Sequence, residues 1–251
     1  MDNSKNNNLI ESVDNAFLIR LVMDAFRRII MHYGMWFAQA EHQFGFKDAV
    51  SMESRVWDQT TRNQLGRLGK SLGISVSDGV PDVLSGFSRT QLLELMQTIS
   101  INWLANDGIW FQAVEKKLGM NDAKRCNDTC WTRYSPYEAH RVKHLLNLPE
   151  KGGIQALEKA LSLRMYAFIN QQTLNIVDEN TLIFQMNDCR VQAARKRKGL
   201  EDYPCKSVGL VEYPYFAKTI DPRIHTECIG CPPDKHPEDW YCSWKFTLIP
   251  D

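Results

Sequence analysis

Neither sign of charge is in surplus in this 251-residue chain, where 30 Lys and Arg balance 30 Asp and Glu. That balance excludes a global field that would draw the protein onto nucleic acid or an anionic membrane, so any anion recognition is local. Long apolar runs are missing too. None approaches the roughly 18 residues of a membrane span. The opening MDNSKNNNLIESVDN lacks the basic-then-apolar order of a secretory signal. A cytoplasmic location with reduced thiols is therefore expected. The seven cysteines are an odd number and cannot form a fully paired disulfide framework. At this length a hydrophobic core can form without such staples. A Glu-x-x-His partner, the mark of a carboxylate-bridged dimetal bundle, is also missing. This leaves Glu41 and Glu115 as packing or interhelix contacts, with the Trp and Phe residues that repeat beside them.

What is present is an internal duplication. At an offset of 74 residues, Gly34, Trp36, Phe37, Glu41, Gly45 and Trp57 meet Gly108, Trp110, Phe111, Glu115, Gly119 and Trp131 without a gap. Each copy reads as helices. FLIRLVMDAFRRIIMHYGMWFAQAEHQFG places apolar residues at three- and four-residue steps, and Gly45 and Gly119 follow as helix stops. The segment SVSDGVPDVLSGFSRTQ separates the copies, with Ser88 a candidate N-cap. Cys126 and Cys130 lie on one helix face, opposite Met52 and Val56 of the first copy, and read as core thiols.

From about Lys151 the pattern changes. GGIQALEKALSL reads as a short helix, and TLNIV and TLIFQM flank DEN as a hairpin. WYCSWKFTL alternates, placing Trp240, Cys242, Trp244, Phe246 and Leu248 on one face, and RIHTECIG can pair with it across CPPDKHPED. The expected fold class is α+β: a duplicated all-α half over residues 1–150, with repeat units about 18–74 and 92–148, followed by a smaller cysteine-rich domain with an antiparallel sheet over 151–251. Between the strand pairs, Asp188 can cap a short helix that Gly199 ends. That places Cys189 where a helix dipole and Arg190 would favour a thiolate. The run Arg195, Lys196, Arg197, Lys198 is a solvated face or a seat for a carboxylate or phosphate, with Arg190 or Arg195 turned toward the cysteines.

Five of the seven cysteines fall between Cys189 and Cys242, far more than an even scatter would place there. Cys228 and Cys231 form a C-x-x-C stiffened by Pro232 and Pro233, the spacing by which two thiolates reach one ion from a turn. Soft sulfur ligands select zinc or an iron–sulfur cluster. The candidate metal ligands are thus Cys189, Cys205, Cys228, Cys231 and Cys242, four of which would complete a zinc site or hold a [4Fe-4S] cluster. A metal-free thiol site and a reduced structural set remain the alternatives. His225 and His236 flank the motif.

CRVQAARKRKGLEDYPCKSVGLVEYPYFAKTIDPRIHTECIGCPPDKHPEDWYCSWKF, together with the repeated WF, Glu and Gly units, resembles a family of largely uncharacterised cytosolic, cysteine-rich proteins of anaerobic bacteria. The order of Cys189, Cys205, DPRI at Asp221 to Ile224 and EDWYCSWKF is similar to the L-2-amino-thiazoline-4-carboxylate hydrolase-like family, and the present chain adds Cys228 and Cys231 to that pattern. The second likeness implies opening of a cyclic amidine, with Cys189 as nucleophile, Asp221 or His225 as base, and Arg190 or Arg195 clamping a substrate carboxylate. Two functions are thus expected. One is a cytoplasmic metal-binding protein in redox, sensing or small-ligand binding; the other is a hydrolase of a small carboxylate substrate. The expected partners are a small anionic molecule and, as a homodimer, a second copy of the chain, without nucleic acid or membrane.

Overall fold

The computed structural model describes residues 8–197, 199 and 202–250. The chain divides into two compact units, Met1–Gly86 and Phe87–Asp251. Lys198, the last residue of the basic run, lies outside the described residues.

In the first unit a short helix α1 (Asn8–Ser12) precedes a helical hairpin of α2 (Asn15–Phe44) and α3 (Phe46–Leu72). Asp14 caps α2 through a 2.7 Å bond from the Phe17 amide. The hairpin turns on Gly45 alone, whose φ of +84° is open to glycine and costly for residues with a Cβ. Tyr33 donates to Glu53 across the hairpin at 2.9 Å and meets Trp57 edge to face. A two-residue ribbon, β1 (Val76–Ser77) and β2 (Val80–Pro81), closes the unit.

The second unit begins with the duplicate hairpin, α4 (Arg89–Leu118) and α5 (Met120–Leu145), which turns on Gly119 at φ +93°. The boundaries of α2 and α3 recur in α4 and α5 at the sequence offset of the repeat. Ser88 and Gln91 form a reciprocal capping box, worth about 1 kcal/mol to the start of α4. Grouping by repetition joins the two hairpins, whereas grouping by packing joins the second hairpin to the cysteine-rich segment. Trp36 and Trp110, expected as packing residues, are instead 68% and 61% exposed.

Then come α6 (Gly153–Leu161), β3 (Gln171–Asp178), β4 (Thr181–Asp188), α7 (Arg190–Arg197), α8 (Lys206–Ile220), β5 (Ile224–Gly230) and β6 (Cys242–Leu248). The four strands form one antiparallel sheet in the order β3-β4-β6-β5. Helices α5, α6 and α8 cover one face, so the unit is a two-layer α+β structure, as the sequence predicts. The alternation in β4 and β6 explains this. Leu182, Phe184 and Met186 point to the helices and pair with Phe246, Trp244 and Cys242. Each buried aromatic there contributes roughly 1.5–3 kcal/mol.

Trp244 reaches so close to α8 that a Cβ on Gly209 would stand 2.4 Å from its ring. Glycine at 209 is therefore what lets helix and sheet meet at this point. Trp240 departs from the expected pattern. The strand begins at Cys242, and Trp240 lies before it, over Gly230.

Candidate functional site

Four sulfurs arrive from four places in the second unit. Cys189 follows β4 and opens α7, its carbonyl accepting from the Ala193 amide at 2.8 Å. Cys205 opens α8, its carbonyl accepting from Gly209 at 2.9 Å. Cys231 lies just past β5, and Cys242 is the first residue of β6. The turn after the C-x-x-C is tied to the start of α8 twice, by Lys206 N–H to Pro232 O at 2.8 Å and by the Lys206–Asp234 ion pair at 2.7 Å. This clamp brings Cys231 toward Cys205.

These four cysteines line one cavity of about 770 Å³, within the size range of small-molecule sites. Its other walls are Phe111 and Asp107 of α4, Trp131 of α5, Tyr166, Asn170, Arg190 and Arg195 of α7, Tyr203, and Glu212 and Tyr213 of α8. Cys228 is not among them. It sits on β5 opposite Trp244, packed at the core, with Lys206 and Asp234 near its sulfur.

The thiols are electrically unequal. The neighbouring Cys231 thiol, more than any other influence, holds the Cys242 thiol below its usual range. Burial works the other way there, while Tyr213 and the Trp244 indole add support. The Trp244 N–H makes no well-aligned hydrogen bond, so its help is that of a nearby dipole. Cys242 and burial push the Cys231 thiol far up. Burial raises Cys189 to about 11, although the Gln192 and Val191 amides at the start of α7 pull it down. The helix terminus acts on Cys189 as expected, but desolvation outweighs it and the favoured thiolate is Cys242. Burial also raises Cys205, which accepts from Gln192 Nε2 at 3.3 Å.

Beneath the cavity Arg164 is buried between two glutamates, with Nε 2.8 Å from Glu138 and Nη2 2.7 Å from Glu212. The Glu212 contact is an ion pair without aligned hydrogen-bond geometry. Burial raises Glu212 and Arg164 opposes it. Asp107, half-buried, is also raised by burial. Tyr203 Oη and Asn170 Nδ2 are buried atoms with no hydrogen-bond partner among the described residues.

The residues expected at the site separate into two groups. Cys189, Cys205, Cys231, Cys242, Arg190 and Arg195 come together in the cavity. Asp221 and His225 do not line it. Asp221 is buried at the end of α8, bonded to Arg223 at 2.8 and 3.1 Å and to the Gly153 amide at 2.9 Å. Burial would raise Asp221, but these partners prevail and hold it at about 2. His225 is exposed on β5. Cys126 and Cys130, read as core thiols, are exposed and line a second cavity of about 420 Å³ with Trp103 and Trp110. Among the described residues, no three of His, Cys, Asp and Glu stand as a ready-made metal-ion site. Sequence reasoning missed Asp107, Glu212 and Tyr213. The last two occupy the inward positions of a helix whose apolar face is legible, but the cavity beside them is not.

A family model described as a family of unknown function (DUF6125) matches residues 11–88 and 84–248, two overlapping stretches that follow the two compact units. No curated protein and no solved structure matches the chain. No helix among the described residues is long and apolar enough to cross a membrane.

Proposed function

We propose that this chain, which belongs to the DUF6125 family of unknown function, holds a soft metal centre, zinc or an iron–sulfur cluster, against the sulfur-lined wall of its second unit. The observation that supports this reading is the convergence of Cys189, Cys205, Cys231 and Cys242 from four separate elements on one cavity. Packing alone gives no reason for four thiols, one buried and three part-buried, to meet. Soft thiolates select zinc or iron–sulfur over magnesium or calcium. A metal would also deprotonate thiols that burial keeps neutral, and its binding energy would add to folding. Because the described residues hold no ready-made ion site, loading draws the sulfurs together through side-chain rotation. Cys228, outside the cavity, is the thiol left over. A reducing cytosol in an anaerobic bacterium suits such a centre, and the adjoining cavity favours small-ligand binding or sensing as its use.

The test is metal and acid-labile sulfide per chain after purification without oxygen. Iron with equimolar sulfide selects a cluster, and zinc without sulfide selects a zinc site. Cys231→Ser removes the metal and Cys228→Ser retains it. A metal-free protein would overturn the reading.

A second reading is favoured by one feature, the lowered Cys242 thiol beside the raised carboxyl of Glu212. In it the chain hydrolyses a C–N bond of a cyclic amidine or related small carboxylate. Cys242 attacks the amidine carbon, the C–N bond breaks as Glu212 gives a proton to the departing nitrogen, and water then cleaves the C–S bond to release the product and the thiol. This moves the chemistry from Cys189, Asp221 and His225 to residues that face the cavity, and keeps Arg190 and Arg195 as the carboxylate clamp. Turnover of an amino-thiazoline carboxylate that survives chelation and Cys228→Ser but stops with Cys242→Ser would support it over the metal reading.

A further inference from the structure

Besides its sulfurs, the cavity carries groups of opposite charge among aromatic and apolar side chains. Asp107 of α4 lines it beside Phe111, Trp131 and Tyr166, and makes no hydrogen bond or ion pair with any described residue. A carboxylate without a partner among aromatic faces is a seat for a cationic nitrogen, which gains from both the charge and the ring quadrupoles. On another wall lie the cations Arg190 and Arg195 of α7. With them stand two buried donors, Tyr203 Oη and Asn170 Nδ2, that have no hydrogen-bond partner among the described residues.

Both donors are fixed in place. Asn170 Oδ1 accepts from the Arg190 amide at 2.8 Å, which leaves the NH₂ end unanswered. Tyr203 is held by a reciprocal pair of bonds with Gln192, at 2.8 and 2.9 Å, and its ring packs edge to face on Phe111. Buried donors without partners are costly and rare in folded proteins. A ligand carboxylate that reached Tyr203 Oη and Asn170 Nδ2 would satisfy both, and Leu104 and Val208 supply apolar lining, beside the polar Gln112, Glu115, Lys116 and Asn127.

We propose that this part of the cavity binds a small zwitterion with an apolar body, of the size of an aromatic amino acid. Its cationic nitrogen faces Asp107, and its carboxylate is taken by Tyr203 Oη, Asn170 Nδ2 and the α7 arginines. The inference rests on the cavity and not on the metal centre, and it names a ligand class that the hydrolytic reading would also need.

The experiment is isothermal titration calorimetry on the full chain with three probes: L-phenylalanine, hydrocinnamate, which lacks the ammonium, and phenethylamine, which lacks the carboxylate. L-phenylalanine is expected to bind roughly tenfold or more tightly than either of the others. Asp107→Asn is expected to lower phenylalanine affinity to that of hydrocinnamate while leaving hydrocinnamate unweakened. Tyr203→Phe is expected to weaken both acids and spare the amine. Equal binding of the three probes by the wild-type protein, or binding of none, overturns the proposal, and neither result depends on a variant folding. Asp107→Asn weakening all three alike also overturns it. Metal per chain is measured on the same samples. Metal retained with zwitterion selectivity absent sinks this inference alone, and selectivity retained without metal sinks the metal centre alone.

Discussion

Cys231 and Cys242 line one cavity as neighbours, across the loop that joins the end of β5 to the start of β6. Their contact lowers the Cys242 thiol and raises that of Cys231. In metal-free protein Cys242 is therefore expected to be the first of the clustered cysteines to react with a small neutral alkylating agent as pH rises. Replacing its neighbour, Cys231→Ala, shifts the onset of Cys242 modification to higher pH, as read by peptide mass spectrometry over a pH series. Cys189 reacting first in wild-type protein would contradict the assignment.

Arg164 lies between Glu138 and Glu212 where water does not reach, one cation for two carboxyl groups. Removing it leaves both buried carboxyl groups without a cation. Arg164→Met should cost about 3–5 kcal/mol in urea unfolding. A loss below about 1 kcal/mol would show the pair to be solvated.

Asp221 is held at about 2, against an ordinary value of 3.8, through its bonds to Arg223 and the Gly153 amide. Since the folded value is the lower one, the stabilisation is complete above pH ~4 and is lost as pH falls toward ~2. Asp221→Asn should therefore destabilise the second unit by about 1–2 kcal/mol at neutral pH, and the gap to wild type should close on acidification. Stability curves at neutral pH and near pH ~3 check this. A gap independent of pH would assign the loss to packing.

Gly209 and Trp244 form a contact that excludes a Cβ. Gly209→Ala should cost about 1–3 kcal/mol by overpacking. Trp244→Phe, which removes the approaching ring edge, should recover part of that loss in a double-mutant cycle. Additive losses would mean that the ring moves aside without strain.

The fold was largely legible because its signals are local. Ser88 caps α4, Gly45 and Gly119 end helices, and the alternation around Trp244 and Phe246 marks a half-buried strand. The gathering of Cys189, Cys205, Cys231 and Cys242 followed from their clustering in sequence, although their electrostatics did not. Position at a helix start predicted a thiolate at Cys189, but burial depends on what packs above it, and that information lies in α4 and α8. Asp107 was hidden for the same reason. It sits a long way from the cysteines in sequence, and only the packing of α4 brings it to their cavity. Asp221 and His225 failed to reach the cavity because α8 ends, and β5 begins, away from it.

The central claim is that Cys189, Cys205, Cys231 and Cys242 ligate one metal centre. X-ray absorption at the metal edge of the anaerobically purified protein tests it most directly. The account predicts a shell of four sulfurs at about 2.3 Å for zinc, or cysteinyl and sulfide sulfur around iron, unchanged by Cys228→Ser. A shell of nitrogen and oxygen, or a protein with no metal edge at all, would contradict it.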